Sequence, residues 1–419
     1  MRISIEKNGK QVYVGDIVGG AFCYAGEYTQ REDAAPISIS MPLQAEPFSP
    51  AQTRNFFDGL LPEGFTRRTL AKSVHIGEDD YLSLLALLGS ECLGAIQVTD
   101  EHAVPTKESY DLLDDAQVHA LAREGATKSV ELVTKAHLSL TGASGKVGLY
   151  LNESDGSWYL PRGSAPSTHI VKQSHVRLDR IVTNEQLCLL TAKKMGVDTA
   201  ESFIINTGEA AEGDLLLATR RYDRVIPPDS RMISGLPVPL RLHQEDFAQA
   251  LGIAAADKYE EPGGEYLRKA FALLRNYSSD PIRDQQKLWD LFVFNYLIGN
   301  TDNHIKNLSL LYSRDLRGIR LAPAYDIVST AVYESSTRNM AVAIGGKLSL
   351  DDISRDSFAD AAAEAGLGVR MAVGRFDALC SGFEKALRES AAELDSAGFP
   401  GTDELAGQIL QEGGIAHSR

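Results

Sequence analysis

Apolar and polar residues alternate at the start of the chain. Ile3, Ile5, Val12, Val14 and Ile17 flank Asn8-Gly9, which predicts a hairpin closed by a type I′ turn. Further strands are expected over residues 22–28 and 36–41. The period then lengthens. Ser49-Pro50 opens a helical stretch carrying Phe56, Phe57, Leu60 and Leu61, closed by Pro62-Glu63-Gly64, and Asp79-Asp80 caps a helix over 81–88. Residues 88–95 form a glycine-punctuated turn, and a charged linker follows with one helix near 115–123. Strands are predicted at 158–161, 169–172 and 214–219, with a helix running from Thr183 to Met195. From Gln244 onward the pattern is mainly helical, over 245–251, 264–274, 358–365 and 373–394. Asp351-Asp352 is a candidate cap, and residues 412–419 read as a frayed tail. Residues 288–298 (LWDLFVFNYLI) are apolar nearly all round, so they predict a buried helix. Gly299-Asn300 stops it, because both residues tolerate the left-handed conformation of a C-terminal cap. A polar run follows, then a strand over 308–312, a turn at 314–318, and a strand over 319–324 that leads into Tyr325-Asp326. A polar loop thus sits between a buried helix and a hairpin, and the hairpin returns an aspartate toward that loop.

Composition narrows the class. The 419 residues suffice for two or three domains. The formal charge of −15 argues against broad nucleic-acid binding by this chain alone, so DNA contact needs a local basic patch or a partner. No apolar run reaches membrane-spanning length, and MRISIEKNGK reads as a strand rather than a signal peptide. Cys23, Cys92, Cys188 and Cys380 are scattered with no C-x-x-C, which suits a reducing cytosol and offers no metal site. A cytoplasmic protein without membrane contact is expected.

The polar loop has the residue types that phosphoryl transfer requires: a carboxylate to orient the attacking hydroxyl, and an amide oxygen and a second carboxylate to hold magnesium on the nucleotide. Protein kinases set base and amide ligand five residues apart and add the later carboxylate in a D-F-G. Asp302 and Asn307 are five apart, and Asp326 opens a later D-I-V. Lys306 can neutralise charge on the transferred phosphate. The plain alternative is a polar loop in which Asp302 and Asn307 bond local backbone. Upstream, Thr141-Gly142-Ala143-Ser144-Gly145-Lys146 resists a Walker assignment: two residues separate the glycines, and Val147 follows the lysine. A Gly/Ser-rich turn can still aim backbone N–H groups at a phosphate, although a hairpin turn has the same composition. Lys172 ends a predicted strand, and Glu185 stands thirteen residues on, at the start of a helix. That is the order of the lysine–glutamate pair that positions the α- and β-phosphates in kinases. Arg220-Arg221-Tyr222 follows the last strand before the helical region, where a two-lobed kinase holds adenine, and Tyr222 is the candidate lining ring.

G-N-T-D-N-H-I-K-N-L-S followed by A-Y-D-I-V-S resembles the HipA serine/threonine kinases, toxins of bacterial type II toxin–antitoxin pairs. F-F-D-G-L-L-P-E-G and L-L-G-S-E-C-L-G-A-I resemble the small N-terminal subdomain of those proteins. P-S-T-H-I-V-K, N-E-Q-L-C-L-L-T-A-K-K-M-G and H-Q-E-D are similar to further landmarks. The similarity runs in the family's order from about residue 1 to at least 330. It implies Asp302 as catalytic base, Asn307 and Asp326 as magnesium ligands, Lys172 on the α/β-phosphates of ATP, and Tyr325, His304 and Lys306 around the phosphates. The family's phosphate loop, S-x-x-G-A-x-x-K, falls on Ser139, Gly142, Ala143 and Lys146, and its serine is an autophosphorylation site. Where the family often has Glu-Arg-Phe-Asp-Arg, this chain has Arg220 and Tyr222 in place of the glutamate and phenylalanine, which puts a side-chain role at 220 in doubt.

The expected fold is α+β: a two-lobed, protein-kinase-like (HipA-like) fold. It has a β-rich N-terminal subdomain over 1–100, a linker over 101–130, a nucleotide-binding lobe over 131–224 and a mainly helical catalytic lobe over 225–419. The resemblance implies ATP and Mg2+ as cofactors and a helix-turn-helix, HipB-like antitoxin as partner. It also implies operator DNA contacted mainly through that complex, and a translation component such as glutamyl-tRNA synthetase as substrate. A small-molecule kinase and a catalytically silent nucleotide-binding co-repressor are the alternatives.

Overall fold

The computed structural model describes residues 1–100, 106–124, 132, 145–174 and 178–417. It has the expected α+β character, and the chain forms two compact units. The first contains Met1–His175, Ile205–Ala255 and Leu311–Gly318; the second contains Val176–Ile204, Ala256–Leu310 and Ile319–Arg419.

The first unit opens on the predicted hairpin, β1 (Arg2–Lys7) and β2 (Lys10–Val18). Asn8 and Gly9 both have positive φ, 50° and 73°, as a type I′ turn demands. With β3 (Ala21–Tyr24) and β4 (Ile96–Thr99) they form a sheet of order β3-β2-β1-β4. Ile3, Ile5, Val14, Ile17 and Phe22 are buried beneath it. Two strand expectations fail. The strand predicted over 22–28 ends at Tyr24, and Gly26–Thr29 is a helical turn that buries Tyr28. Residues 36–41 make a single bridge, Ser38 to Met41, rather than a strand. Side chains take their backbone groups: Ile37 N–H donates to the Tyr24 hydroxyl (2.9 Å), Ile39 N–H to Glu245 (3.1 Å), and His243 Nε2 bonds the Ile37 carbonyl (2.8 Å). Ser49 caps the Pro50–Phe57 helix through a capping box, and Asp80 caps Tyr81–Leu88 as expected.

A second sheet in this unit contains β5 (Ser109–Leu113), β6 (Lys146–Asn152), β7 (Ser157–Arg162) and β8 (His169–Gln173). The antiparallel order is β5-β7-β6-β8, continued by the Leu215–Arg220 strand. Tyr110 and Tyr150, with ring centroids 4.5 Å apart, pack with Ala165, Leu236 and Val238 on it.

The centre of the first unit is ionic. Glu91, from the glycine-punctuated turn, accepts from Arg221 Nη1 (3.0 Å), Arg224 Nη2 (2.9 Å), and Arg241 Nε and Nη2 (3.0 and 2.8 Å). Asp223 lies across from Arg221 and Arg224 at 2.8 and 2.9 Å, and Glu6 of β1 bonds the Arg241 backbone N–H at 3.0 Å. Burial alone would raise the Glu91 carboxyl, but the three guanidinium groups hold it down at about 2. Gly94 makes the turn possible. Its φ is +73°, its N–H donates to Asp223 at 2.7 Å, and a Cβ would lie 2.8 Å from the Gln244 nitrogen. Nearby, Glu245 accepts from Ser38 Oγ (2.5 Å), from Ile39 N–H, and from the Tyr312 hydroxyl.

The second unit packs around one helix, Pro281–Ile298. It begins earlier than the apolar pattern suggested, because Asp280 caps it and Pro281 fits its first turn. Trp289, Tyr296, Phe271, Phe358 and Phe376 are fully buried, and the polar ends are satisfied: Trp289 Nε1 donates to Ala372 O and Tyr296 OH to Ile353 O, both at 3.0 Å. Asp284, on this helix, accepts from Arg320 Nε and Nη2 and from Leu321 N–H, each at 2.9 Å. This fixes the return strand Ile319–Leu321 to the helix. Asp351 does not cap a helix but pairs with Arg338; Ser354 caps Arg355–Glu364 instead. The Val369–Ser396 helix is longer than expected, and Thr402–Glu412 is a further helix that the pattern did not reveal. The expected frayed tail is partly ordered, since Gly414–His417 forms a 3-10 turn with Ile415 buried.

Glu91→Ala leaves three buried guanidinium groups facing too few carboxylates, so it should destabilise the first unit by roughly 3–5 kcal/mol, read as a lowered urea midpoint. Burial raises Glu245 from its ordinary 4.5 to about 7, against the hydrogen bonds it accepts. The folded state then keeps a proton that the unfolded state releases. The stabilisation is therefore whole below pH 4.5 and is lost as pH rises toward 7. Urea titrations of wild type and Glu245→Gln should show the variant gaining roughly 1–3 kcal/mol on wild type across that window.

Candidate active site

The Pro281–Ile298 helix ends on Gly299, at φ 67°. A Cβ there would sit 2.6 Å from the Ala331 Cβ and 3.1 Å from the Gly413 Cα, so the position requires glycine both for its conformation and for space. Asn300 then ties the corner together. Its Nδ2 donates to Asn295 Oδ1 (2.7 Å) and to the Asp326 carbonyl (3.4 Å), and its Oδ1 accepts from Asp302 N–H (3.2 Å). Thr330 Oγ1 accepts from Thr301 N–H (2.7 Å) and donates to Gly299 O (3.1 Å). The backbone entering the polar loop is thereby held to the segment carrying Asp326.

Asp302 has its carbonyl bonded by His304 N–H (2.8 Å) and by Asn307 Nδ2 (3.0 Å). Ile305–Asn307 forms a 3-10 turn. The plain alternative for Asn307 is thus half true: its NH2 bonds local backbone. That bond also fixes which way the amide points and leaves Oδ1 as the acceptor available to a cation. The Tyr325 hydroxyl bonds the Lys306 carbonyl (3.0 Å) and Ser309 Oγ (2.8 Å). His304, Lys306 and Asn307 are nearly buried. Asp326 sits in the left-handed region at φ 57°, a conformation that aspartate and asparagine tolerate better than other side chains. Asn184 holds the following residues, donating from Nδ2 to Ser329 O (2.9 Å) and accepting from Ser329 N–H at Oδ1 (3.1 Å). Glu185 is the next residue on the same helix and is buried.

Asp302, His304, Lys306, Asn307, Tyr325 and Asp326 are therefore brought together on one corner of the second unit. In the first unit, Lys146 and Lys172 are direct antiparallel partners on β6 and β8, so their side chains share a face. Gly145 directly precedes β6. Lys172 and Glu185 belong to different units. Ser139, Thr141, Gly142, Ala143 and Ser144 lie outside the described residues.

Within the segment 220–222, the expectation that the Arg221 side chain meets a nucleotide needs correction. Arg221 donates all five of its side-chain N–H groups inside the ionic centre: to Asp223 twice, Glu91, Ser167 and the Cys92 carbonyl. Its guanidinium serves the fold and has no donor left for a nucleotide. Arg220 pairs with Glu153 at the exposed strand end, and the Tyr222 hydroxyl donates to Gln244. Sequence reasoning missed Tyr259, whose hydroxyl donates to Asp302 Oδ1 and whose ring stands edge-on to His304 with centroids 5.2 Å apart. It precedes Asp302 by 43 residues, and no spacing rule marks it.

A model of the HipA-like C-terminal domain matches residues 138–387, and one of the HipA N-terminal domain matches residues 12–99. The chain belongs to the HipA family of kinases. Among its relatives is "Putative kinase Y4mE" of Sinorhizobium fredii, 35% identical over 364 residues, covering 85% of this chain and 82% of that one. The serine/threonine-protein kinase toxin HipA of Shewanella oneidensis is 28% identical over 362 residues, covering 80% and 78%. The fold is that of HipA solved with HipB and its operator DNA from Shewanella oneidensis MR-1. That match has a TM-score of 0.78 at 23% identity and covers 98% of this chain and 96% of that one.

Gly299→Ala should cost at least about 2 kcal/mol, from the left-handed backbone and the contact with Ala331. Thermal unfolding should record this as a lowered Tm.

Proposed function

We propose that this chain is a Mg·ATP-dependent serine/threonine protein kinase that acts as the growth-arresting toxin of a type II toxin–antitoxin pair. The observation that carries the reading is the corner on which the Asn300 and Thr330 hydrogen bonds bring Asp302, Asn307 and Asp326 together. Asp302 accepts the proton of the attacking hydroxyl. Asn307 Oδ1 and the Asp326 carboxylate are hard oxygen donors of the kind magnesium takes, alongside water and phosphate oxygens. Magnesium supplies charge neutralisation on the phosphates. Lys146 and Lys172 supply positive charge to the α- and β-phosphates, while His304, Lys306 and Tyr325 line the transferred group. Tyr222 flanks the adenine, and Ser139 is the autophosphorylation site.

The toxin role rests on the relationship to a serine/threonine-protein kinase toxin. By the same relationship the restraining partner is a HipB-like helix-turn-helix protein, through which operator DNA is reached. The Shewanella HipA was solved with HipB and its operator. The substrate class is a translation component, with glutamyl-tRNA synthetase the first candidate. Among the described residues no helix is long and apolar enough to cross a membrane, in keeping with a cytoplasmic target.

Incubation with Mg·ATP followed by intact mass and peptide mapping tests this. Wild type should gain one phosphate at Ser139, and Asp302→Asn should lose at least about 100-fold in rate while retaining nucleotide. Transfer confined to a sugar or alcohol acceptor would favour a small-molecule kinase. Nucleotide binding with no transfer to any acceptor would favour the silent co-repressor.

A further inference from the structure

Three hydrogen bonds fix the backbone of Asp302: its N–H to Asn300, and its carbonyl from His304 and Asn307. Its Cα is thus set, and two side-chain torsions decide where the carboxylate points. The Tyr259 hydroxyl bonds Oδ1. Tyr259 is 45% exposed, yet it is not loosely placed. Its ring stands edge-on to His304 at an interplanar angle of 82°. The next residue, Glu260, is clamped on three sides. Its N–H donates to Ala341 O (2.9 Å), and its carboxylate accepts from Ala343 N–H (2.8 Å) and Tyr266 N–H (3.0 Å). The Tyr266 hydroxyl also donates to Asp257 O at 2.6 Å. The phenol is therefore delivered to Asp302 by a segment anchored on the Asn339–Ile344 strand and the Tyr266–Tyr277 helix.

We propose that Tyr259 is a positioning residue for Asp302, holding Oδ1 so that Oδ2 faces the acceptor hydroxyl. The inference rests on the kinase reading of the site and deepens it. A general base acts only from a narrow range of distances and angles, so a carboxylate whose orientation shifts loses rate without losing nucleotide. The ring and the hydroxyl have separable roles. Packing on His304 needs only the ring, whereas orienting the carboxylate needs the oxygen.

The test compares wild type, Tyr259→Phe, Tyr259→Ala and Asp302→Asn in ADP formation from Mg·ATP, phosphate gained by intact mass, nucleotide KM and Tm. Tyr259→Phe should lower kcat by about 10- to 100-fold, with nucleotide KM and Tm close to wild type. Tyr259→Ala should add only a small further loss. An active wild type matched by Tyr259→Phe overturns the inference alone. So does a Tyr259→Phe that is faster than wild type, which would make the hydroxyl a plug on the base. Phosphate mapped to Tyr259 itself would make it an acceptor and also overturn the inference. A Tyr259→Phe loss that follows a fallen Tm overturns it in favour of a packing role. A wild type that forms no ADP and gains no phosphate overturns the kinase reading, and this inference with it.

Discussion

The first unit is organised around one buried carboxylate. Glu91 is fully buried and receives three guanidinium groups from Arg221, Arg224 and Arg241. Removing a charge from water costs several kcal/mol, and only close, multiply hydrogen-bonded partners offset that. Here most of the donors are met: Arg221 has every donor engaged, and the carbonyls of Cys92, Gly94 and Ser164 accept from the guanidinium groups alongside the carboxylates, while Arg224 Nε is buried without an acceptor. The groups come from β1, the glycine turn, the loop before β8, the segment after the Leu215–Arg220 strand and Arg241. Such a cluster has few alternative solutions, so it specifies a unique assembly of these segments even where its net contribution to stability is modest.

The second unit solves a different problem. A loop that presents several polar side chains must not collapse onto its own helix, and its backbone groups need partners away from water. Gly299, Asn300 and Thr330 supply them. The helix terminus, the loop carrying Asp302 and Asn307, and the segment carrying Asp326 share hydrogen bonds. The Asp284–Arg320 pair fixes the return strand at the other end of the same helix.

What could be read from sequence was local. Asn8-Gly9, the Ser49-Pro50 helix start, Asp80 and the Gly299 terminus are signals confined to a few residues, and each has its expected structure. The grouping of Asp302, Asn307 and Asp326 was legible because a helix, a loop and a hairpin of known lengths leave little freedom. Contacts between distant segments were not legible. Residues 36–41 look like a strand, but their backbone is bonded by Tyr24, His243 and Glu245 side chains. Arg221 looks like a ligand-facing arginine because nothing in R-R-Y-D-R signals that Glu91 and Cys92 will meet it. Tyr259 is an unremarkable tyrosine in a charged stretch until the fold carries it to Asp302.

The backbone at 326 has an evolutionary consequence. A left-handed residue there restricts which side chains can replace the aspartate, and asparagine is among the most readily accommodated. Aspartate and asparagine codons differ by a single base. The chain can therefore lose the carboxylate proposed to hold magnesium while keeping the turn that the fold needs. Gene copies drifting along that route would keep the turn and lose the proposed cation ligand.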